Sequence, residues 1–259
     1  MAYKQLKLWF DPELAQLLSN KLLPYYPKFD AAGFVKQVAE GVPPLELKDR
    51  VELIADLLND FLPGEYPQQW AILANILGPP NPSETGMFTD FYWVMPIAKF
   101  VEKYGLNHLS LSFQAIEAIT QRNTGEFTIR PYIAAYPEKT MDQMMAWSRH
   151  ENFHVRRLAS EGGRPRLPWA SKIQPFIDDP SPLLPILENL RDDPSKYVQK
   201  SVANCINDIL KDNFTVGQSL IFSWMEDRSK ARTWIIKHAI RNFRKKEIPW
   251  AMELMEQLK

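Results

Sequence analysis

The sequence predicts an all-α fold, and three observations carry that expectation. Apolar residues recur at spacings of three and four through most of the chain. No stretch sustains the alternation and β-branched bias of a strand. The 21 prolines fall mostly between the periodic segments and cut the chain into helices of about 10 to 18 residues joined by short turns.

Taken in order, residues Asp30–Val42 place Phe34, Val35, Val38 and Ala39 on one stripe. Leu45–Leu62 repeats the pattern with Leu47, Val51, Ile54, Leu57, Leu58 and Phe61 and ends at Pro63-Gly64. Trp70–Leu77 continues it until Gly78-Pro79-Pro80. Asn81–Gly86, with Pro82, Ser83 and Thr85, reads as an exposed loop. Phe91–Tyr104 and Ser110–Arg122 then read as a helix pair around Gly105-Leu106-Asn107.

The C-terminal half suggests repeats. Asn152–Ser160 aligns with Ser195–Ala203 at an offset of 43, and Arg232–Ala239 fits after a further 36. Those lengths match paired-helix solenoids of the HEAT type, whose helices bury their apolar faces by stacking on neighbours. The expectation is a single HEAT-like domain over residues 1–259, with Arg157, Lys200 and Lys237 along one side of a concave basic groove. Charge divides the chain. Residues 1–146 hold 12 basic against 17 acidic residues and residues 147–259 hold 19 against 14, so a polyanion would meet the second half.

Composition bounds the rest. Hydrophobic content of 45% with 24% charge is that of a soluble globular protein, and no run approaches the roughly 18 to 20 apolar residues of a membrane span. The N-terminus, with Pro12 and two acids early, carries no export signal. Cys205 is the single cysteine, which excludes an internal disulfide and a Cys-rich metal site. These features predict a cytoplasmic monomer without membrane segment, metal or cofactor.

The densest chemistry lies in Val155–Trp169, where four arginines, Glu161 and Trp169 share fifteen residues. Just before it, His150-Glu-Asn-Phe-His154 fits the zinc pattern H-E-x-x-H. Two points argue against zinc. The repeat alignment sets His150 and Glu151 in a turn, with Asn152 as a helix cap, and Arg156 and Arg157 would place positive charge beside a dication.

Three acids deserve singling out. Glu126 follows Thr124-Gly125 before a helix entered at Arg130-Pro131, where an acid also complements a helix dipole. Glu161 closes an arginine-rich helix at Gly162-Gly163; there it opposes the dipole, so it is solvated, paired with Arg157 or Arg164, or placed for work. Asp208 sits on a helix with apolar flanks, where a carboxylate is structural unless a groove faces it. Most tryptophans belong to the core. Trp169 is the exception, because Pro165 and Pro168 hold it off-helix beside Arg164 and Arg166, where an exposed indole suits a flat cation.

At these residues the chain resembles the AlkC-type DNA alkylation repair glycosylases, relatives of AlkD with a HEAT-like repeat fold. The blocks are Phe127-Thr-Ile-Arg-Pro, Tyr136-Pro-Glu-Lys-Thr-Met, Val155-Arg-Arg-Leu-Ala-Ser-Glu-Gly, Arg164-Pro-Arg-Leu-Pro-Trp, Asp179-Pro-Ser-Pro, Lys200-Ser-Val-Ala-Asn and Trp234-Ile-Ile-Lys-His-Ala. They run in the family's order across about residues 85–250. The resemblance implies excision of N-alkylated bases, 3-methyladenine and in this branch 3-methylcytosine, from duplex DNA by hydrolysis of the N-glycosidic bond. By motif position Glu126, Glu161, Trp169 and Asp208 match the family's active-site residues. Some members add an immunoglobulin-like domain after the helical array, which the sequence to Lys259 does not contain.

The residue types suit that chemistry. Methylation at N3 makes the base cationic and weakens the glycosidic bond, so carboxylates that stabilise the sugar's oxocarbenium character and position water suffice. Asp208 and Glu126 are expected to do this, with Glu161 holding the base and Trp169 stacking on it. Arg156, Arg157, Arg164, Arg166, Lys200 and Lys237 are expected on DNA phosphates. No lyase lysine is apparent. The competing readings are a non-catalytic HEAT-like module for damaged or branched DNA and a scaffold for acidic peptides. Acids in the groove favour the enzyme, since binding a polyanion gains nothing from them.

Overall fold

The computed structural model describes residues 4–86 and 88–258, and among these no strand is present. They divide into two compact units, residues 1–131 and 132–259. The charge asymmetry follows this division too: 11 basic against 15 acidic residues in the first unit, 20 against 16 in the second.

The first unit opens with a 3-10 turn at Leu6–Trp9 and helix α1, Pro12–Leu22. Asp11 caps α1 by accepting from the backbone N–H of Glu13 and Leu14 at 3.0 and 3.1 Å, with Pro12 preset for the first turn. Helices α2 (Ala31–Gly41) and α3 (Leu47–Phe61) form where the apolar stripes predict them. Helix α4 (Tyr66–Ile76) starts four residues before the expected Trp70, because Glu65 and Gln68 form a capping box around Pro67. The expected single helix from Phe91 is instead α5 (Phe88–Phe91), a 3-10 turn (Tyr92–Val94) and α6 (Met95–Tyr104). Pro96 explains the break. Inside a continuous helix it would clash with the preceding turn and lack an N–H, so the helix restarts with Pro96 in its first turn. Helix α7 (Leu109–Thr120) follows, and α8 (Arg130–Ala135) runs across the boundary between units.

Phe10, Leu14, Leu18, Phe34, Ile54, Leu58 and Phe100 are fully buried in this unit. Arg50 joins them at 6% exposure. Its guanidinium donates to the carbonyls of Leu45 (2.8 Å), Lys7 and Phe10 (3.3 Å each) and Pro43 (3.5 Å), so it ties the N-terminal turn to the start of α3.

The second unit contains α9 (Pro137–Trp147), α10 (Phe153–Glu161), α11 (Gln174–Asp178), α12 (Leu184–Leu190), α13 (Lys196–Asp212), α14 (Phe214–Met225), α15 (Lys230–Ala239), α16 (Arg241–Lys245) and α17 (Pro249–Gln257). Helix α13 packs between α10 and α15, so the three basic segments are stacked neighbours. Each is capped by the same chemistry. Asn152 accepts from the N–H of His154 at 2.8 Å, Ser195 from Val198 at 3.4 Å and Ser229 from Arg232 at 3.1 Å.

The caps fix the repeat register. They stand 43 and then 34 residues apart, so the second offset is two shorter than the sequence alignment gives. Five residues past each cap lie Arg157, Lys200 and Trp234. Trp234 holds the position equivalent to Arg157 and Lys200, and Lys237 lies three residues further along the same helix.

Candidate catalytic and lesion-binding site

Helix α10 ends at Glu161, and the chain turns at once because Gly162-Gly163 lets it pass close to the core. A Cβ at Gly163 would stand 2.8 Å from Leu183 Cδ2 and 3.2 Å from Met144 Cε. This turn carries Arg164 back beneath α13. Its Nε donates to Asp208 Oδ2 at 2.9 Å and its Nη1 to Glu161 Oε1 at 2.7 Å. The three side chains are 9%, 2% and 7% exposed respectively. One guanidinium thus bridges two buried carboxylates, the arrangement in which an ion pair is compensated by directed hydrogen bonds.

The surroundings hold these charges in place. Arg157 Nη2 lies 3.7 Å from Glu161 Oε1, and Ser201, itself paired with Ser160 at 2.6 Å, hydrogen-bonds Glu161. Burial is the largest influence on Glu161 and opposes its ionisation. Arg157, Arg164 and the Ser201 and Arg164 hydrogen bonds outweigh it and hold the carboxyl below the usual glutamate range. Burial likewise opposes the Arg164 charge, and Glu161 and Asp208 overcome it, so Arg164 is more firmly protonated than a free arginine. The remaining Asp208 oxygen, Oδ1, accepts from Lys211 Nζ at 3.0 Å. Cys205, one turn before Asp208, is fully buried, and burial and then the Asp208 charge push its thiol up, keeping it protonated.

Beyond Arg164 the loop rises to Trp169, which is 82% exposed. The loop is closed by Ile173 N–H donating to the Pro165 carbonyl at 3.1 Å and Ala170 N–H to Leu167 at 3.3 Å. Trp169 itself has φ of 60°, a left-handed backbone that costs a residue with a Cβ roughly 1–2 kcal/mol. Trp147 and Trp224, by contrast, are buried in the core.

Glu126 belongs to the first unit, between α7 and α8, and is half-buried. Thr124 Oγ1 donates to its Oε2. Asn123 anchors the turn by donating to the Phe91 carbonyl at 2.7 Å. Gly125 is needed there, since a Cβ would stand 2.3 Å from Thr120 Oγ1.

Several arginines expected on phosphates also have partners within the protein. Arg156 grips Asp193 through Nε–Oδ2 at 2.6 Å and Nη2–Oδ1 at 3.2 Å, while its Nη1 donates to the carbonyls of His150 and Glu151. Arg164 is the buried bridge just described. Arg166 pairs with Asp212 through Nε–Oδ2 at 2.6 Å and Nη2–Oδ1 at 2.5 Å. Lys200 is exposed and Lys237 half-buried, and neither has an ion pair among the described residues. Arg241, which sequence reasoning missed, also has no ion pair among the described residues and donates to the His238 carbonyl at 2.7 Å and Asn204 Oδ1 at 2.8 Å. The repeat register was the available signal, since Arg241 and Arg164 both lie twelve residues past their caps. The H-E-x-x-H pattern straddles a helix start. His150 precedes the Asn152 cap and its Nδ1 accepts from Asn152 N–H at 2.9 Å, while His154 is buried at 5% exposure, so the two do not face one site from a single helical turn.

The chain and its stacked helices find counterparts in known proteins. A family model described as DNA alkylation repair enzyme matches residues 123–243, which span Glu126, Glu161, Trp169 and Asp208. Over 251 residues the chain is 40% identical to the uncharacterized protein YhaZ of Bacillus subtilis (strain 168), covering 96% of this chain and 67% of the relative. It is also similar to the Pseudomonas fluorescens alkylpurine DNA glycosylase AlkC bound to DNA containing an abasic site analog. That likeness has a TM-score of 0.88 and 35% identity, over 98% of this chain and 69% of the other. No described helix is long and apolar enough to cross a membrane. With its helical repeats and its caged carboxylates inside the matched span, the chain belongs to the DNA alkylation repair enzyme family, on the AlkC-type helical-repeat fold.

Proposed function

We propose that the protein is a monofunctional DNA glycosylase that hydrolyses the N-glycosidic bond of cationic N-alkylated bases, 3-methyladenine foremost and 3-methylcytosine in the same class. The observation that carries this reading is the Glu161–Arg164–Asp208 bridge, two nearly buried carboxylates on one arginine, in the stretch that also exposes Trp169. A surface that only grips phosphates is weakened by acids. Acids held in place in the same stretch as an exposed indole suit a cation.

Methylation at N3 leaves the base positively charged and ready to depart neutral, so no general acid is required. As the bond lengthens, positive charge grows on the sugar, and Asp208, held in place by Arg164, lies ready to stabilise it. Trp169 offers its face to the cationic base, a contact of about 0.5–2 kcal/mol. Glu161 contributes negative charge beside the base. Glu126 enters from its motif position, as the residue that orients or deprotonates water, and Glu126→Gln measures its share. Arg157, Lys200, Lys237 and Arg241 supply charge for the DNA backbone.

The test is release of free 3-methyladenine from methylated duplex DNA. Wild-type protein is expected to release it, and Asp208→Asn, which keeps the shape and removes the charge, to lose about 10²–10³-fold in single-turnover rate. Absence of release by pure, folded wild-type protein refutes the glycosylase reading, and equal release by the variant refutes the role of Asp208.

A further inference from the structure

Helix α13 carries a polar stripe of Lys200, Asn204, Asp208 and Lys211, spaced four, four and three apart and therefore on one face. Exposed lysines stand at both ends and the buried carboxylate lies between them. The two cations on Asp208 differ in kind. Arg164 on Oδ2 is buried and pinned on its far side by Glu161, whereas Lys211 on Oδ1 is 41% exposed and reaches the carboxylate from its own helix. The Lys211 ammonium meets the buried carboxylate with its own side chain 41% exposed, so its charge can be rehydrated on leaving. The buried guanidinium of Arg164 cannot.

We propose that Lys211 is a displaceable cover on Asp208, holding Oδ1 in the free protein and moving to a DNA phosphate when duplex arrives. The exchange trades one anionic partner for another at little cost to Lys211, and it leaves Oδ1 open toward the substrate while Oδ2 stays fixed by Arg164. Lys211 is thus a positioning residue that couples backbone binding to exposure of the carboxylate. This rests on the role given to Asp208 above.

The experiment compares wild-type protein with Lys211→Met, which keeps the apolar stem, and Lys211→Arg, in the full chain. Two quantities are measured: the salt dependence of binding to duplex containing an abasic-site analogue, and single-turnover release of 3-methyladenine against enzyme concentration. For Lys211→Met the slope of log K against log salt is expected to fall by about 0.9, the loss of one phosphate contact, with Lys211→Arg restoring it. The half-saturating enzyme concentration is expected to rise about threefold to tenfold, while the plateau rate falls less than twofold. An unchanged salt slope, or a plateau rate that falls as far as in Asp208→Asn, overturns the proposal. If wild-type protein releases no base, the glycosylase reading fails, and the salt slope still reports on the Lys211 contact.

Discussion

Arg50 in the first unit and Arg164 in the second are buried to nearly the same degree, 6% and 8%, yet they are satisfied in opposite ways. Arg50 donates to four backbone carbonyls and staples a turn to a helix. Arg164 donates to two carboxylates on different elements and helps hold the Glu161 carboxyl below the usual glutamate range. The first solution gives rigidity. The second gives rigidity and stores negative charge beneath a loop that presents an indole to solvent, which no purely structural arginine needs to do.

The difference is open to test, and the largest effect is expected at Arg164. Arg164→Met removes the shared partner of Glu161 and Asp208 and leaves Glu161 with Arg157 and Asp208 with Lys211, which should cost about 3–5 kcal/mol of unfolding free energy in urea titration. The pH dependence should then change. In the wild type the folded Glu161 carboxyl lies below its ordinary value of 4.5, so its contribution is present above that value and is lost as the pH falls through the lower folded one. In Arg164→Met two of the influences that lower the carboxyl are gone while Arg157 and Ser201 remain, so its pKa should rise relative to wild type and the gap to wild type should narrow as the pH falls toward and below 4.5. A gap that stays constant over this range would show that the bridge does not hold Glu161 ionised.

Arg50→Met should cost less, about 1–3 kcal/mol, because the freed carbonyls are neutral and three of the four bonds are only part-buried. Its loss should not vary with pH in that window, and base release measured on the fraction still folded should match wild type. A strong selective loss of release in Arg50→Met would erase the distinction between the two arginines.

The sequence carried much of the fold. The stripes of α2 and α3 and the caps at Asn152 and Ser195 follow from local spacing and side-chain chemistry, which is why they are legible. The break before α6 was less visible, because Pro96 is equally compatible with a kink and with a fresh helix start. The partners of the arginines were hidden for a different reason. Asp193 lies 37 residues from Arg156, Asp208 44 from Arg164 and Asp212 46 from Arg166, and only stacking of one repeat on the next brings each pair together. Reading four clustered arginines as a phosphate clamp counted their charges without the acids Asp193, Asp208 and Asp212 of the next repeat. Asp208 and Lys211, by contrast, are an i, i+3 pair on one helix and were readable directly.

Trp169 combines 82% exposure with a left-handed backbone. Glycine would relieve that strain, so Trp169→Gly is expected to raise thermal stability by roughly 1 kcal/mol while slowing base release by about twofold to thirtyfold. Melting temperature and single-turnover rate, measured on one preparation, check both. A directed-evolution campaign scored on heat resistance alone would therefore drift toward glycine at position 169 and breed a sturdier protein with poorer lesion recognition.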